Sequence, residues 1–162
     1  MFSIFDGPDA HCVLLSKRPY VISRMVQVFQ ANEAIIHQVD DYAALERAIA
    51  SDDRINFVMI DVDTHDNLGT QVDRLRHIRD TYPDKATIIL SDEFETNEFG
   101  THRMMLADVS LRTPVLDASL EIALLQAPVN NLVWRSRLEA LRAEKGQRNI
   151  RTLHVTEPAS VG

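Results

Sequence analysis

Charged and hydroxyl side chains stand directly after several short apolar runs of this sequence. Asp61 and Asp63 follow the run 57–60, and Ser91 and Asp92 follow the run 86–90. Carboxylates close to a hydroxyl can hold a divalent cation or accept a phosphoryl group, because both chemistries need clustered oxygen atoms. The other members of this candidate pocket follow the first and fifth apolar runs: Ser16, Lys17, Arg18, Arg112 and Thr113.

Five apolar runs alternate with segments of helical spacing, and this alternation predicts the scaffold of the pocket. The predicted strands cover residues 12–15, 34–39, 57–60, 86–90 and 109–111. The predicted helices follow Pro19 and Asp41, cover residues 68–78 and 94–106, and begin again at Pro114. Such alternation predicts an α/β fold with a doubly wound five-stranded parallel sheet. The carboxyl ends of its strands meet at one edge, where the pocket residues would converge.

The pocket resembles that of the receiver domains of bacterial response regulators. Asp61 takes the place of the phospho-accepting aspartate, and Gly69 that of the glycine eight residues later. Ser91 takes the place of the hydroxyl residue that touches the phosphoryl group, and residues 106–114 resemble the family's G-A-D … K-P stretch. The resemblance covers residues 11–127 and implies a flavodoxin-like, receiver-type fold.

The departures from the receiver pattern fall on the residues that would bind Mg²⁺ and the phosphoryl group. Ser16 and Lys17, followed by Arg18, stand where the family has a pair of acidic metal ligands, and Thr113 replaces a lysine. Without the acidic pair, too few oxygen ligands remain for Mg²⁺. We therefore predict a degenerate member, a pseudo-receiver, that is no enzyme, binds no cofactor and keeps Asp61 as a vestigial phospho-acceptor.

The bases beside the predicted acceptor lead to a sharper hypothesis. Lys17 or Arg18 is predicted to form an ion pair with Asp61, and the opposite charge would keep that carboxylate ionised. Such a pair would fix one conformation that metal and phosphate otherwise select. The alternative is that both bases point to solvent.

Other residues after the third strand offer a second chemistry. A phosphorylatable regulator would bind Mg²⁺ through a rebuilt site that uses Asp61 with Asp63, His65 or Asp66. A transition-metal site at Asp61, Asp63 and His65 is a weaker candidate. The six histidines, at positions 11, 37, 65, 77, 102 and 154, do not pair at helical ligand spacing, so we predict surface positions for them.

The ends of the chain differ in character from residues 11–127. Residues 1–10 are predicted to form an N-terminal arm, residues 128–150 a separate helix, and residues 151–162 a disordered tail. In that helix Trp134, Leu138 and Leu141 step by four and three, which predicts a short seam for dimerisation or for packing on the same chain.

Charge and composition bound the expected partners. The net charge is −7, but residues 132–162 carry six bases and three acids. This basic segment leaves a nucleic-acid-binding regulator as an alternative, although the overall acidity argues against it. The single cysteine fits a reducing cytoplasm, and no apolar run is long enough to span a membrane. We expect a cytoplasmic homodimer that binds signalling proteins such as a histidine kinase or another regulator.

Overall fold

The computed structural model describes residues 10–156, with side chains to residue 150, and confirms the predicted α/β fold. A five-stranded sheet has the order β2-β1-β3-β4-β5, and each neighbouring pair is parallel. The strands are β1 (His11–Leu15), β2 (Ile35–Val39), β3 (Phe57–Asp61), β4 (Ala86–Ser91) and β5 (Val109–Arg112). The helices are α1 (Pro19–Ala31), α2 (Tyr42–Ser51), α3 (Leu68–Thr81) and α4 (Asp117–Thr156), with a 3₁₀ turn at Val62–Thr64.

Helices cover both faces of the sheet, so the central strand is buried along its whole length. Met59 of β3 packs in the core under α1 and α4, whereas Val58 and Ile60 pack under α2 and α3. A strand buried on both faces reads as a continuous apolar run, which is why β3 was evident in the sequence. This packing between two layers of helices holds the carboxyl ends of β1, β3 and β4 at one edge of the sheet.

The connection from β4 to β5 differs from the sequence prediction. The helix predicted at residues 94–106 is absent, and the segment consists of turns. Glu98 forms an antiparallel bridge with Ser110 instead, with N–H to O distances of 2.8 and 2.9 Å. Phe94 and Met104 are nearly fully buried, so the segment uses its apolar residues singly as anchors. It has no continuous apolar face that would stabilise a helix.

The separate helix predicted from residue 128 is also wrong, because α4 continues through Pro128 for 40 residues. A proline inside a helix removes one backbone hydrogen bond. The loss is offset by buried side chains on both sides of it: Ala127, Asn130, Asn131 and Trp134. Asn130 Nδ2 donates to the carbonyl oxygens of Phe99 and Asp108, both at 2.8 Å.

Three further predictions concern the two ends of the chain and the absence of a membrane span. Residues 151–156 are helical, although a disordered tail was predicted from residue 151. Residues 157–162, and residues 1–9 of the predicted N-terminal arm, lie outside the described residues. Long as α4 is, it is too polar to cross a membrane, and no other helix within residues 10–156 combines the necessary length and apolarity.

Candidate functional site, a carboxylate pocket closed by arginine

The pocket lies where β1 and β3 end side by side. The two strands pair in parallel, with Leu15 opposite Ile60, so the residues that follow β1 lie next to Asp61. Asp61 is the last residue of β3, and none of its surface is exposed to solvent. Ser16 is equally buried. A carboxylate at this depth requires hydrogen-bond donors, because an unpaired buried charge is very costly.

Arg18 supplies two of those donors. Its Nε lies 2.7 Å from Asp61 Oδ2, and its Nη2 lies 2.8 Å from Asp61 Oδ1. Ser16 Oγ donates to Oδ2 at 2.8 Å, and the backbone N–H of Asp63 donates to Oδ1 at 3.2 Å. Two parallel bonds between a guanidinium and a carboxylate give both strength and a fixed orientation. The predicted ion pair with Asp61 is therefore present, and Arg18 is the base that forms it.

Two further carboxylates face the same guanidinium. Arg18 Nη1 lies 2.9 Å from Asp92 Oδ2, and Arg18 Nη2 lies 3.4 Å from Asp63 Oδ2. Burial disfavours the charged arginine, but hydrogen bonds and attraction to Asp61 and Asp92 outweigh it and raise the pKa of Arg18. Hydrogen bonds from Thr113 and Arg18 lower the pKa of Asp92. One cation thus holds together three acidic side chains from two loops and one strand end.

The hydroxyl residues of the predicted pocket bind the neighbours of Asp61. Ser91 Oγ donates to Asp63 Oδ1 at 2.7 Å, and the backbone N–H of Asp92 donates to the other oxygen of Asp63 at 2.7 Å. Thr113 Oγ1 accepts from Arg18 Nη2 at 3.2 Å and donates to Asp92. Ser91 and Thr113 therefore fix the outer acids around Arg18.

Three residues predicted in or near the pocket lie elsewhere. Lys17 is exposed, and its backbone N–H donates to Thr64 Oγ1 at 3.1 Å. The guanidinium of Arg112 donates to the carbonyl oxygen of Glu95 at 2.9 Å. The ring of His65 lies 3.1 Å from the carbonyl oxygen of Asp40, on the other side of its loop. All three residues lie at or after the predicted strands. The direction of each side chain, however, is set by loop contacts, which the spacing of residues in the sequence does not reveal.

Tyr20 is a member of the pocket that the sequence did not predict. Tyr20 Oη lies 2.6 Å from Arg18 Nη1 and 3.0 Å from Asp92 Oδ1, and its ring lies beside the guanidinium at 5.2 Å. Tyr20 is half exposed and forms the outer wall of the pocket. The available signal was weak, because Tyr20 is marked only as an aromatic residue two positions after Arg18.

The residues present do not fit the Mg²⁺ ion that the receiver resemblance implies. Mg²⁺ needs several oxygen ligands in near-ideal octahedral geometry. Four hydrogen-bond donors already engage the oxygens of Asp61, and two of these come from a guanidinium that repels a cation. The weaker transition-metal candidate is not assembled either. Among the described residues, Asp61, Asp63 and His65 do not form a group with metal-ligand spacing.

Comparisons with known proteins support the receiver fold. No protein-family model and no curated protein sequence matches the chain. Among solved structures, the signal receiver domain of an HD domain-containing protein from Pseudomonas fluorescens Pf-5 is similar, with 18% identity and a TM-score of 0.61. That match covers 81% of this chain and 95% of the other.

Two other solved structures give the same result. The receiver domain of the TMAO respiratory system response regulator TorR matches at 19% identity and a TM-score of 0.57, over 78% of this chain and 98% of that domain. A Burkholderia pseudomallei response regulator with a phosphorylated aspartic acid, calcium ion and citrate matches at 18% identity and a TM-score of 0.55. It covers 90% of this chain and 86% of the other. At such identities the likeness shows a shared fold.

Proposed function

We propose that this chain is a bacterial signalling protein, an atypical receiver that acts by protein–protein interaction without phosphorylation. The observation that carries the proposal is the bidentate pair between Arg18 and the buried Asp61. In this reading the guanidinium supplies, permanently, the positive charge that a receiver pocket would otherwise take from a metal ion. The pocket then has one conformation, and a partner recognises the surface built around it.

The same pair opposes chemistry at Asp61. To attack a phosphoryl donor, a carboxylate oxygen needs a free lone pair in line with the donor. Both oxygens of Asp61 accept charge-assisted bonds from Arg18, each worth roughly 1.5–3 kcal/mol. Breaking them would leave the buried carboxylate of Asp61 partly unpaired, which adds a further cost. Asp61 thus serves here as an anchor for Arg18.

Arg18 also couples loops that form one continuous surface. It follows β1 and reaches Asp61 at the end of β3, Asp92 after β4 and Thr113 after β5. One side chain therefore fixes the ends of four neighbouring strands. We propose that the connection between β4 and β5, held in this way, presents the docking surface for a partner protein.

A phosphorylation assay tests the proposal. Acetyl phosphate with Mg²⁺, followed by intact-mass measurement, is expected to leave the chain unmodified. Beryllofluoride with Mg²⁺ is expected to leave the backbone NMR signals around Asp61 unshifted. A variant with Ser16→Asp, Lys17→Asp and Arg18→Ala restores the acidic pair, so it is the positive control. A phosphoryl adduct on the unaltered chain that is lost in Asp61→Asn would overturn the proposal and support a phosphorylatable regulator.

We further propose that a second copy of the chain is one partner, through an exposed stripe of α4. The stripe consists of Ile122, Leu125, Val129 and Leu132, each about half exposed or more, at steps of three, four and three. This is the spacing of a helix-pairing seam. Trp134, which the sequence suggested for the seam, packs on its own domain and is only 1% exposed. The seam therefore lies on another face of the same helix.

Charge favours a second copy as the occupant. Residues 132–162 carry a net charge of +3, whereas residues 1–131 carry 11 bases and 21 acids, a net charge of −10. Two copies paired along α4 would place the basic end of one helix near the acidic domain of the other. Such attraction adds to the burial of the stripe.

The oligomeric state tests this second proposal. Light scattering behind size-exclusion chromatography is expected to give a dimer mass, and Leu125→Glu is expected to give a monomer. Leu141→Glu is the matched control, because Leu141 is an exposed leucine of α4 that lies off the stripe. A monomer in the unaltered chain, or dissociation by Leu141→Glu alone, would contradict the stripe as the interface.

A further inference from the structure

Two histidines and an aspartate meet at the amino ends of the strands, opposite the Asp61 edge. His11 is the first residue of β1, His37 lies in the middle of β2, and Asp52 directly follows α2. The register places Val13 opposite His37, and His11 lies two residues before Val13, so both imidazoles are on one face of the sheet. The prediction of surface positions is therefore wrong for His11, which is 3% exposed.

The three side chains present their ligand atoms to a common point. His11 Nε2 lies 2.8 Å from His37 Nε2 and 3.4 Å from Asp52 Oδ2. The three atoms lie within 4.8 Å of one another, and this is the only such group of histidine, cysteine or acidic side chains among the described residues. Ligand atoms about 3.3 Å apart surround a tetrahedral zinc ion with bonds of roughly 2.0–2.1 Å.

The surroundings of His11 favour a metal ligand. Its backbone is fixed, because its N–H donates to Asn56 Oδ1 at 2.9 Å and its carbonyl accepts from the N–H of Asn56 at 3.0 Å. His37 is exposed, so its ring can move outward by the roughly half ångström that an ion between the two nitrogens requires.

We propose that His11 Nε2, His37 Nε2 and Asp52 Oδ2 bind one divalent transition-metal ion, zinc being the expected occupant. Two imidazole nitrogens and one carboxylate suit zinc better than they suit magnesium or calcium, which prefer oxygen alone. Water from the exposed side completes the coordination. The site is independent of the proposed function, because none of its three ligands contacts Asp61 or Arg18, and His11 lies a strand length, about 16 Å, from Ser16.

Arg54 competes with the metal for one of the three ligands. Its Nε lies 3.0 Å from Asp52 Oδ1 and its Nη2 lies 3.1 Å from Asp52 Oδ2. These bonds occupy the oxygen that the ion needs. We therefore expect Arg54→Gln to tighten zinc binding several-fold, because the substitution removes both the competitor and its positive charge.

Calorimetric titration of zinc chloride into the chelator-treated full chain at about pH 7.5, where imidazoles are neutral, tests the site. One ion per chain is expected, and His37→Ala is expected to weaken binding at least about tenfold. His77→Ala is the matched control, because His77 is an exposed histidine 2.8 Å from Glu46 that belongs to no group with metal-ligand spacing among the described residues. Cobalt in place of zinc is expected to show the visible absorption of tetrahedral coordination.

The choice of variants keeps a negative result informative. His11 is buried, so its replacement could prevent folding, whereas His37 is exposed and Asp52 is partly exposed. Asp52→Asn is therefore the second variant, and circular dichroism checks that both variants fold. Absence of saturable binding, or equal binding by the chain and His37→Ala, would overturn the metal site. Equal losses of zinc affinity in His37→Ala and His77→Ala would also overturn the metal site. The contact between His11 and His37 would then be only a hydrogen bond.

Discussion

Two arginine–aspartate pairs, each held by two hydrogen bonds, lie in different parts of the molecule. At the carboxyl edge of the sheet, Arg18 holds Asp61 with bonds of 2.7 and 2.8 Å. Between α3 and the segment that leads into β5, Arg79 holds Asp108 with two bonds of 2.9 Å. Both pairs are bidentate, but Arg18 keeps 17% of its side-chain surface exposed and Arg79 keeps none.

The surroundings act on the two arginines in opposite directions. Acidic neighbours outweigh burial around Arg18 and raise its pKa. Around Arg79 burial dominates and lowers the pKa of the guanidinium, and it raises the pKa of Asp108. Trp134 covers Arg79 with its ring at 4.7 Å from the guanidinium carbon. The buried pair therefore joins α4 to the domain, whereas the pair at the edge remains within reach of a partner.

Removal of the buried arginine should have the largest effect on stability. Arg79→Met leaves Asp108 buried without its cation, and breaking such a pair costs about 3–5 kcal/mol. Urea unfolding measures the loss. Arg76→Met on the exposed side of the same helix is the control, with an expected change below about 0.5 kcal/mol. Equal losses in the two variants would show that the burial of the pair does not decide its contribution.

Truncation of Trp134, which covers Arg79, should have the second-largest effect on stability. Trp134→Ala removes a large buried side chain and is expected to cost about 3 kcal/mol, the lower end of the range for such substitutions. Leu141→Ala is the control, because Leu141 lies on α4 outside the proposed stripe and is 42% exposed, so its loss should stay below about 0.5 kcal/mol. Unchanged urea stability of Trp134→Ala would mean that α4 does not depend on this contact.

The open pair should contribute less than the buried one. Arg18→Gln is expected to cost about 1–3 kcal/mol, because Asp61 keeps its bonds from Ser16 and the N–H of Asp63. Lys17→Gln, one residue away and exposed, should change little. A double-mutant cycle with Asp61→Asn should give a coupling energy of at least about 0.5 kcal/mol. Additive losses in the two single variants would show that Arg18 and Asp61 are not energetically coupled.

Acid should have the smallest effect on stability, through the protonation of Asp92 beside Arg18. Hydrogen bonds, from Thr113 first, lower the pKa of Asp92 in the folded state, so its contribution is complete above the unfolded value near 4. The contribution disappears as the pH falls through the lower folded-state pKa. Because Asp92 is 56% exposed, the stability difference from Asp92→Asn should be below about 1 kcal/mol at pH 6. Urea titrations at falling pH should show this difference shrink, and growth on acidification would contradict the assignment.

The sequence was informative wherever a local pattern determined the result. The buried run before Asp61 and the residues after β1 predicted both the sheet and an ion pair at its edge. The sequence could not choose between Lys17 and Arg18, because side-chain direction after a strand depends on the contacts of the loop. Arg18 is selected by Tyr20 and Asp92, and the local pattern marked Asp92 but not Tyr20.

Long-range contacts explain the failures. His11 and His37 are 26 positions apart, and only the β1–β2 register brings them together, so a search for helical spacing misses them. Pro128 ordinarily predicts a helix boundary, but the buried side chains of Asn130 and Trp134 hold the helix across it. In both cases tertiary packing overrides the local signal.

The uninterrupted α4 has a mechanical consequence. It is fixed to the domain as far as Arg142, which donates to the carbonyl oxygen of Asp80, and residues 143–150 beyond it are exposed. The 14 residues from 143 to the end of the helix at Thr156 form a rod about 21 Å long. Each residue inserted into such a rod advances its tip by about 1.5 Å and turns it by about 100°. The length of this rod therefore sets both the distance and the angle at which its far end meets another molecule.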